Sequence, residues 1–412
     1  MSKEMKNRIV PKLRFPEFRE AGEWEEKELG EKTSKVGSGI TPNGGDKVYK
    51  KEGRPFVRSQ NVGWGTLILD DIAFIDNKTH STFLATEIKL DDVLLNITGA
   101  SIGRSAIADS RIEGGNVNQH VCIIRTKTEL LPIYLNQYLL SNDGQKQIDS
   151  FQAGGNRQGL NFAQIRSLSI PLPPIFKEQQ KIAACLTSLD DLISAEGEKL
   201  KALQAHKKGL MQQLFPAEGE TVPRVRFGEF EGEWEEKTLK DACQMQAGKF
   251  VSASNIYERK TNELFPCYGG NGLRGYTKSF THNGKYCLIG RQGALCGNVN
   301  LAKGKFHATE HAVVATTKEG ISTDWLFYLL TYLNLNQYAT GQAQPGLSVD
   351  NLEKVEIKVP KKEAEQQKIA ACLTTLDDHI AAQGQKLEGL RRWKKGLMQG
   401  MFPSFSMGDA RR

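Results

Sequence analysis

EQQKIAACLTSLDDLISAEGEKLKALQAHKKGLMQQLFP, residues 178–216, is written again as EQQKIAACLTTLDDHIAAQGQKLEGLRRWKKGLMQGMFP at residues 365–403. The offset is 187 throughout and 27 of the 39 aligned positions are identical, so the chain is a duplication. In the first copy Ile182, Leu186, Leu189, Ile193, Glu196, Leu200, Leu203, Lys207, Leu210 and Leu214 step alternately by four and three. That spacing is the a/d seam of a coiled coil. The second copy keeps it at Ile369, Leu373, Leu376, Ile380, Gln383, Leu387, Leu390, Lys394, Leu397 and Met401. At the rise of an α-helix each segment is about 55 Å long. Phe215-Pro216 and Phe402-Pro403 stop the two helices.

Two polar residues interrupt each seam at the same places: Glu196 and Lys207, then Gln383 and Lys394. Either the seam tolerates long amphipathic side chains, or the polar layers fix register. If the helices pair antiparallel about a point between Leu200 and Leu203, Glu196 faces Lys394 and Lys207 faces Gln383, at some cost in stability.

Outward from the helices, a second repeat opens each half: LRFPEFREAGEWEEKEL from Leu13 and VRFGEFEGEWEEKTL from Val225. Trp24 and Trp234, both in GEWEEK, read as core anchors. Between the repeats lie stretches that share only scattered features. GASIG at 99–103 resembles GALCG at 293–297, and NVNQHVCII at 116–124 lines up loosely with HATEHAVVA at 307–315. Short apolar runs bounded by Gly, Asn and Asp read as strands: VLLNITGAS, HVCIIRT and SLSIPLP, then KYCLIG, HAVVATT and VEIKVP. LLPIYLNQYLLSN and TDWLFYLLTYLNLNQY read as helices. The expected fold is mixed α/β: domains at 1–175 and 217–360, helices at 176–216 and 361–403, and a tail at 404–412.

At 412 residues the chain is too long for one ordinary core. With 39% hydrophobic and 25% charged residues it is neither a disordered tail nor a collagen-like fibre. The start, MSKEMKNRIVPKLRF, has no apolar signal segment and no run approaches the length of a membrane span. A cytoplasmic protein without a membrane partner is expected. Seven cysteines, with no CxxC pair, read as small buried apolar residues rather than a disulfide or zinc framework.

Catalytic motifs are missing. There is no GxxxxGK[ST], no GxGxxG after a strand and no GxSxG elbow. Leu172-Pro173-Pro174-Ile175 lacks the Asp or Asn that an amino-methyltransferase places before paired prolines. His307-Ala308-Thr309-Glu310-His311 matches H-x-x-E-H, a zinc-peptidase pattern that requires a helix. The β-branched VVATT that follows favours a strand end or loop, and no metal site is expected.

The formal charge of +7 and pI near 8.9 are compatible with a polyanion. Planar, bidentate side chains gather in the Gly-rich loops. Arg can read guanine, and Asn or Gln adenine, from the major groove of DNA. Taken singly, each such residue has an ordinary role as a loop hydrogen-bonder. As a set the candidate DNA contacts are Gln60, Asn61, Thr98, Ser101, Arg104, Asn118, Gln119, Arg157 and Gln158 in the first half. In the second they are Tyr268, Asn271, Arg274, Arg291 and Gln292.

EQQKIAACLTSLDD and KKGLMQQLFP, GASIG, and the exit GNRQGLN…SLSIPLPP together resemble the specificity subunits of type I restriction–modification enzymes. The resemblance covers nearly the whole chain. It implies two target recognition domains, each reading one half of a split, asymmetric DNA sequence, and an antiparallel coiled coil that sets the spacer. It also implies two modification (methyltransferase) subunits that bring S-adenosylmethionine, and restriction subunits that work with ATP and Mg2+. The chain itself would be a non-catalytic subunit binding no cofactor. A methylation-only or type II-like system and a coiled-coil scaffold that ignores DNA are the alternatives.

Overall fold

The computed structural model describes residues 9–152, 159–293, 296–341 and 346–404. Two helices dominate it, Phe176–Leu214 and Glu363–Met401, each 39 residues long and ending at the Phe-Pro stops. Every a/d position named above is buried or half-buried, and the residues between are mostly exposed. The chain divides into two compact units that each take part of both helices: 1–196 with 386–412, and 197–385. No helix among the described residues is long and apolar enough to cross a membrane.

In the first unit a four-stranded antiparallel sheet runs in the order Thr33–Ser38, Val121–Thr126, Val93–Asn96, Ser105–Ile107. The run Val93–Asn96 is buried at every position, so both its faces are covered rather than alternating between core and solvent. A three-stranded sheet, Ala73–Ile75, Arg54–Val57, Asn116–Val117, lies alongside in the topology, its last pairing parallel. The second unit fuses these parts into six strands: Cys243–Ala247, Ala312–Thr317, His282–Gly290, Val299–Ala308, Phe265–Gly269, Gly272–Thr277. Each strand-like run in the sequence is a strand, and the two helical runs give Pro132–Leu139 and Thr323–Tyr332.

The repeated segments explain one another. Arg14, in LRF, makes two charge-assisted hydrogen bonds to Glu178, the Glu of EQQ, at 2.7 and 2.8 Å, with little of either side chain left to solvent. Arg226, in VRF, holds Glu365 in the same way at 2.8 and 2.9 Å, and Trp234 donates its indole N–H to Glu365. The next residue closes a second contact. Gln179 accepts from the N–H of Leu131 and donates to the carbonyl of Glu129, at the start of helix Pro132–Leu139. Gln366 accepts from the N–H of Ser322 and donates to the carbonyl of Gly320, at the start of helix Thr323–Tyr332. These amides satisfy backbone groups that helix starts leave open. GEWEEK, read only as an anchor, also forms strands. Glu25–Glu28 pairs with Ser169–Leu172, and Glu235–Thr238 with Glu356–Val359. Trp24 and Trp234 are indeed in the cores.

Within the first unit Ile182, Leu186, Met398, Met401 and Phe402 share one core. Within the second, Met211, Leu214, Phe215, Ile369 and Leu373 do. The two helices therefore run antiparallel in each unit, but not in the expected register. Lys394 bonds to Asp190, not Glu196; Glu196 pairs with Lys386; and Lys207 bonds to Asp377, not Gln383. The reason is that the domains, not the seam's own symmetry, fix the carboxylates. Gln137 donates to Asp190 Oδ2 at 2.8 Å, an oxygen it shares with Lys394, and the Tyr328 hydroxyl donates to Asp377 at 2.8 Å.

Candidate nucleic-acid interface

In each unit three loops meet at the ends of strands, joined by matching backbone hydrogen bonds. The first is the GASIG or GALCG turn. Gly103 N–H donates to the carbonyl of Asn96 and Gly297 N–H to that of Gly290, at 3.0 and 2.8 Å. Both glycines of each motif, Gly99 with Gly103 and Gly293 with Gly297, hold φ between +68° and +86°, a region that disfavours other residues. The shared glycines of the motif are thus a backbone requirement.

The second loop ends in a histidine. The N–H of Ile97 donates to the carbonyl of His120 at 3.0 Å, and the N–H of Arg291 to that of His311 at 2.9 Å. The strands before them pair in the same parallel way, Phe56 with Asn116 and Cys267 with His307. The loose alignment of NVNQH with HATEH therefore holds residue by residue. The third loop brings in the Gly-Leu of the exit: Leu160 N–H donates to Ile97 carbonyl, and Leu347 N–H to Arg291 carbonyl, both at 2.9 Å. Thr98 bridges to Gly159 as Gln292 does to Gly346.

In the first unit a chain of side-chain contacts follows this frame. Thr98 Oγ1 lies 2.6 Å from His120 Nδ1, His120 Nε2 lies 3.0 Å from Gln119 Nε2, and the Thr41 hydroxyl donates to Gln119 Oε1. Ser101 is half-buried beside Thr98. Arg104 is half-buried, and its Nε has no partner among the described residues. Gln60 is exposed and donates to Asp71 at 2.6 Å, next to Arg58, which also bonds Asp71.

Two expected readers are not surface groups. Asn61 is 1% exposed: its carbonyl accepts from the N–H of Arg58 and its amide donates to the carbonyl of Ile68. Asn118 is buried too, accepting from the N–H of His120. Both shape the loop backbone, the ordinary role of Asn in turns. Arg157 and Gln158 lie outside the described residues.

In the second unit Asn271, Arg274 and Gln292 line one cleft of 640 Å³ with Gly270, Gly293 and His311. Gln292 Oε1 lies 2.9 Å from His311 Nδ1, and Glu310 lies 3.2 Å from His311 Nε2. Asn271 accepts from Asn298. Arg291 is half-buried, its backbone joining the other two loops. Tyr268 is half-buried, edge-on to Phe306, and burial pushes its phenol pKa up. His307 is the last residue but one of the strand Val299–Ala308, with Nε2 against the carbonyl of Lys249, so the two imidazoles of H-x-x-E-H are held by separate partners. Sequence reasoning missed His120 and His311 as site residues. Their signal was the one side chain common to both aligned loops.

Comparison with known proteins follows this duplicated frame. The family model for the type I restriction modification DNA specificity domain matches residues 21–205 and 231–392. The specificity subunit of the type I restriction enzyme EcoprrI of Escherichia coli is 53% identical over 154 residues, 37% of this chain and 38% of that one. A Methanocaldococcus jannaschii protein described as the type I restriction enzyme MjaX specificity subunit is 25% identical over 396 residues, 91% of this chain and 92% of that one. In fold, the type I restriction–modification S subunit from M. genitalium matches with a TM-score of 0.65 at 15% identity, covering 97% of this chain and all of that one. A chain from a structural study of type I complex assembly matches at 0.57 and 17% identity, covering 92% and 97%. With two domain matches spanning most of its length, the chain belongs to the type I restriction modification DNA specificity family.

Proposed function

We propose that this chain is the DNA-reading subunit of a type I restriction–modification complex, each unit reading one half of a bipartite, asymmetric duplex target. One observation carries the reading: an identical three-loop backbone frame is built twice and dressed with different side chains, Thr98 and Gln119 against Gln292 and Glu310. A constant frame with changed polar ends suits two readers of different sequences. We assign the recognition domains to 1–175 and 217–360, and the spacer-setting helices to 176–216 and 361–403. The residues proposed to face the DNA are the exposed and half-buried Gln60, Thr98, Ser101, Arg104, Gln119, Tyr268, Asn271, Arg274, Arg291 and Gln292, with Arg157 and Gln158.

The reaction chemistry we assign to partners. Two modification subunits would bring S-adenosylmethionine and methylate a base flipped from the stack. Restriction subunits would use ATP and Mg2+ in the cytoplasm, where the DNA lies. The lack of a phosphate-loop or Rossmann motif in the sequence supports this division. Methylome sequencing with and without the gene, in a strain expressing the modification subunit, tests it. Loss of one split methylated motif is expected on deletion; an unchanged methylome would reject the reading.

A further inference from the structure

We propose that His120 in the first unit and His311 in the second each contact the edge of a base pair in double-stranded DNA, with Thr98 and Gln292 as their positioning residues. This rests on the DNA-reading function above and names the side chains at its centre. The two histidines occupy equivalent places, each giving its carbonyl to the residue that follows the central strand, Ile97 or Arg291. In both, the residue just before the glycine-bounded turn holds imidazole Nδ1, by a hydroxyl at 2.6 Å in one case and an amide oxygen at 2.9 Å in the other.

Two unlike side chains making one contact point to the imidazole as the group whose orientation matters. A ring fixed at Nδ1 meets its target with little further loss of rotamer freedom. At Nε2 the neighbours are the preceding side chains, Gln119 and Glu310. They can give way to, or share, a base edge. The side chain of His311 is 44% exposed and opens onto the 640 Å³ cleft with Asn271, Arg274 and Gln292. The charged groups facing it there are Glu310 and Arg274. The companions also differ in what they can read: an amide suits adenine, a carboxylate accepts from cytosine N4. The two histidines would therefore act in different half-sites.

The test uses the full chain assembled with its modification subunits, and duplexes carrying the split motif with either half scrambled. His311→Ala should lower affinity for the cognate duplex relative to scrambled DNA by roughly 5- to 150-fold. The methylome should show one position of one half-site relaxed and the other half intact. His120→Ala should do the converse. His311→Gln, which keeps a polar end, and a thermal melt separate loss of reading from loss of fold. Gln292→Ala should relax the same position as His311→Ala, and Gln292→Glu, which keeps an acceptor at that reach, should restore its identity. An unchanged motif and affinity in both histidine variants would overturn the proposal. So would an equal loss on all duplexes with a shallower salt dependence, the mark of a phosphate contact. A wild-type complex that reads no split motif would overturn the DNA-reading function itself, and this inference with it.

Discussion

The ammonium of Lys394 lies 2.6 and 2.7 Å from the two carboxylate oxygens of Asp190, and Lys207 makes the matching contact with Asp377 at 2.6 Å. Each carboxylate is also held by its domain, through Gln137 or Tyr328. Direct partners couple and distant ones do not. A double-mutant cycle between Asp190→Asn and Lys394→Met should give a coupling of about 1–3 kcal/mol. The cycle between Glu196→Gln and Lys394→Met should give under about 0.5 kcal/mol. Urea unfolding of the four variants measures both.

The pairs Arg14–Glu178 and Arg226–Glu365 are almost wholly removed from water, with side chains 6% and 1%, and 14% and 2%, exposed. Removing one partner leaves the other charge buried. Arg14→Met or Arg226→Met should each cost about 3–5 kcal/mol. Glu178→Gln with Arg14→Met should recover part of that loss. Denaturant midpoints at constant slope check this.

Asn61 and Asn118 sit under the proposed interface rather than on it. Asn61→Ala removes the acceptor for the N–H of Arg58 and the donor to Ile68. It should lower stability by about 1–3 kcal/mol. The methylated motif should keep both half-sites unchanged wherever the variant folds. A relaxed base position in its methylome would return Asn61 to the readers.

Burial raises the thiols of Cys122 and Cys243 to about 12. In the unfolded chain they ionise near 9, so above that pH the unfolded state holds fewer protons than the folded one. Stability from these thiols is present below pH 9 and falls as pH rises through the window to about 12. Cys122→Ala with Cys243→Ala should flatten the alkaline decline in melting temperature. At pH 8, brief alkylation followed by peptide mass spectrometry should label the half-buried Cys185 and Cys372 before Cys122, Cys243, Cys267, Cys287 and Cys296.

The helices, their stops and the major strands were legible because each rests on a periodic pattern within one segment. The joint between Arg14 and Glu178 was not, since LRF and EQQ lie 164 residues apart and nothing local links a guanidinium to that carboxylate. Register failed for a related reason: the seam constrains spacing along a helix, whereas Gln137 and Tyr328 decide which residue a lysine meets. Residue chemistry picked out Gln292 and Arg274, which the fold brings to one cleft. It could not distinguish exposed Gln119 from buried Asn118, which differ only in which way a turn points them. The histidines were visible as letters, but His311 was read only within H-x-x-E-H, which the VVATT run had already set aside and which the strand carrying His307 replaces.

The clamp at the head of each long helix draws its side chains from the repeated segments alone: Arg from the RF motif, Glu and Gln from EQQ. From the domain it asks only for main-chain N–H and C=O groups at a helix start, which any sequence supplies. The coupling is therefore a standard fitting, indifferent to whatever recognition surface is mounted on it. A foreign domain with the same two ends, and a donor placed as Gln137 or Tyr328 is, should seat on these helices without any change to them.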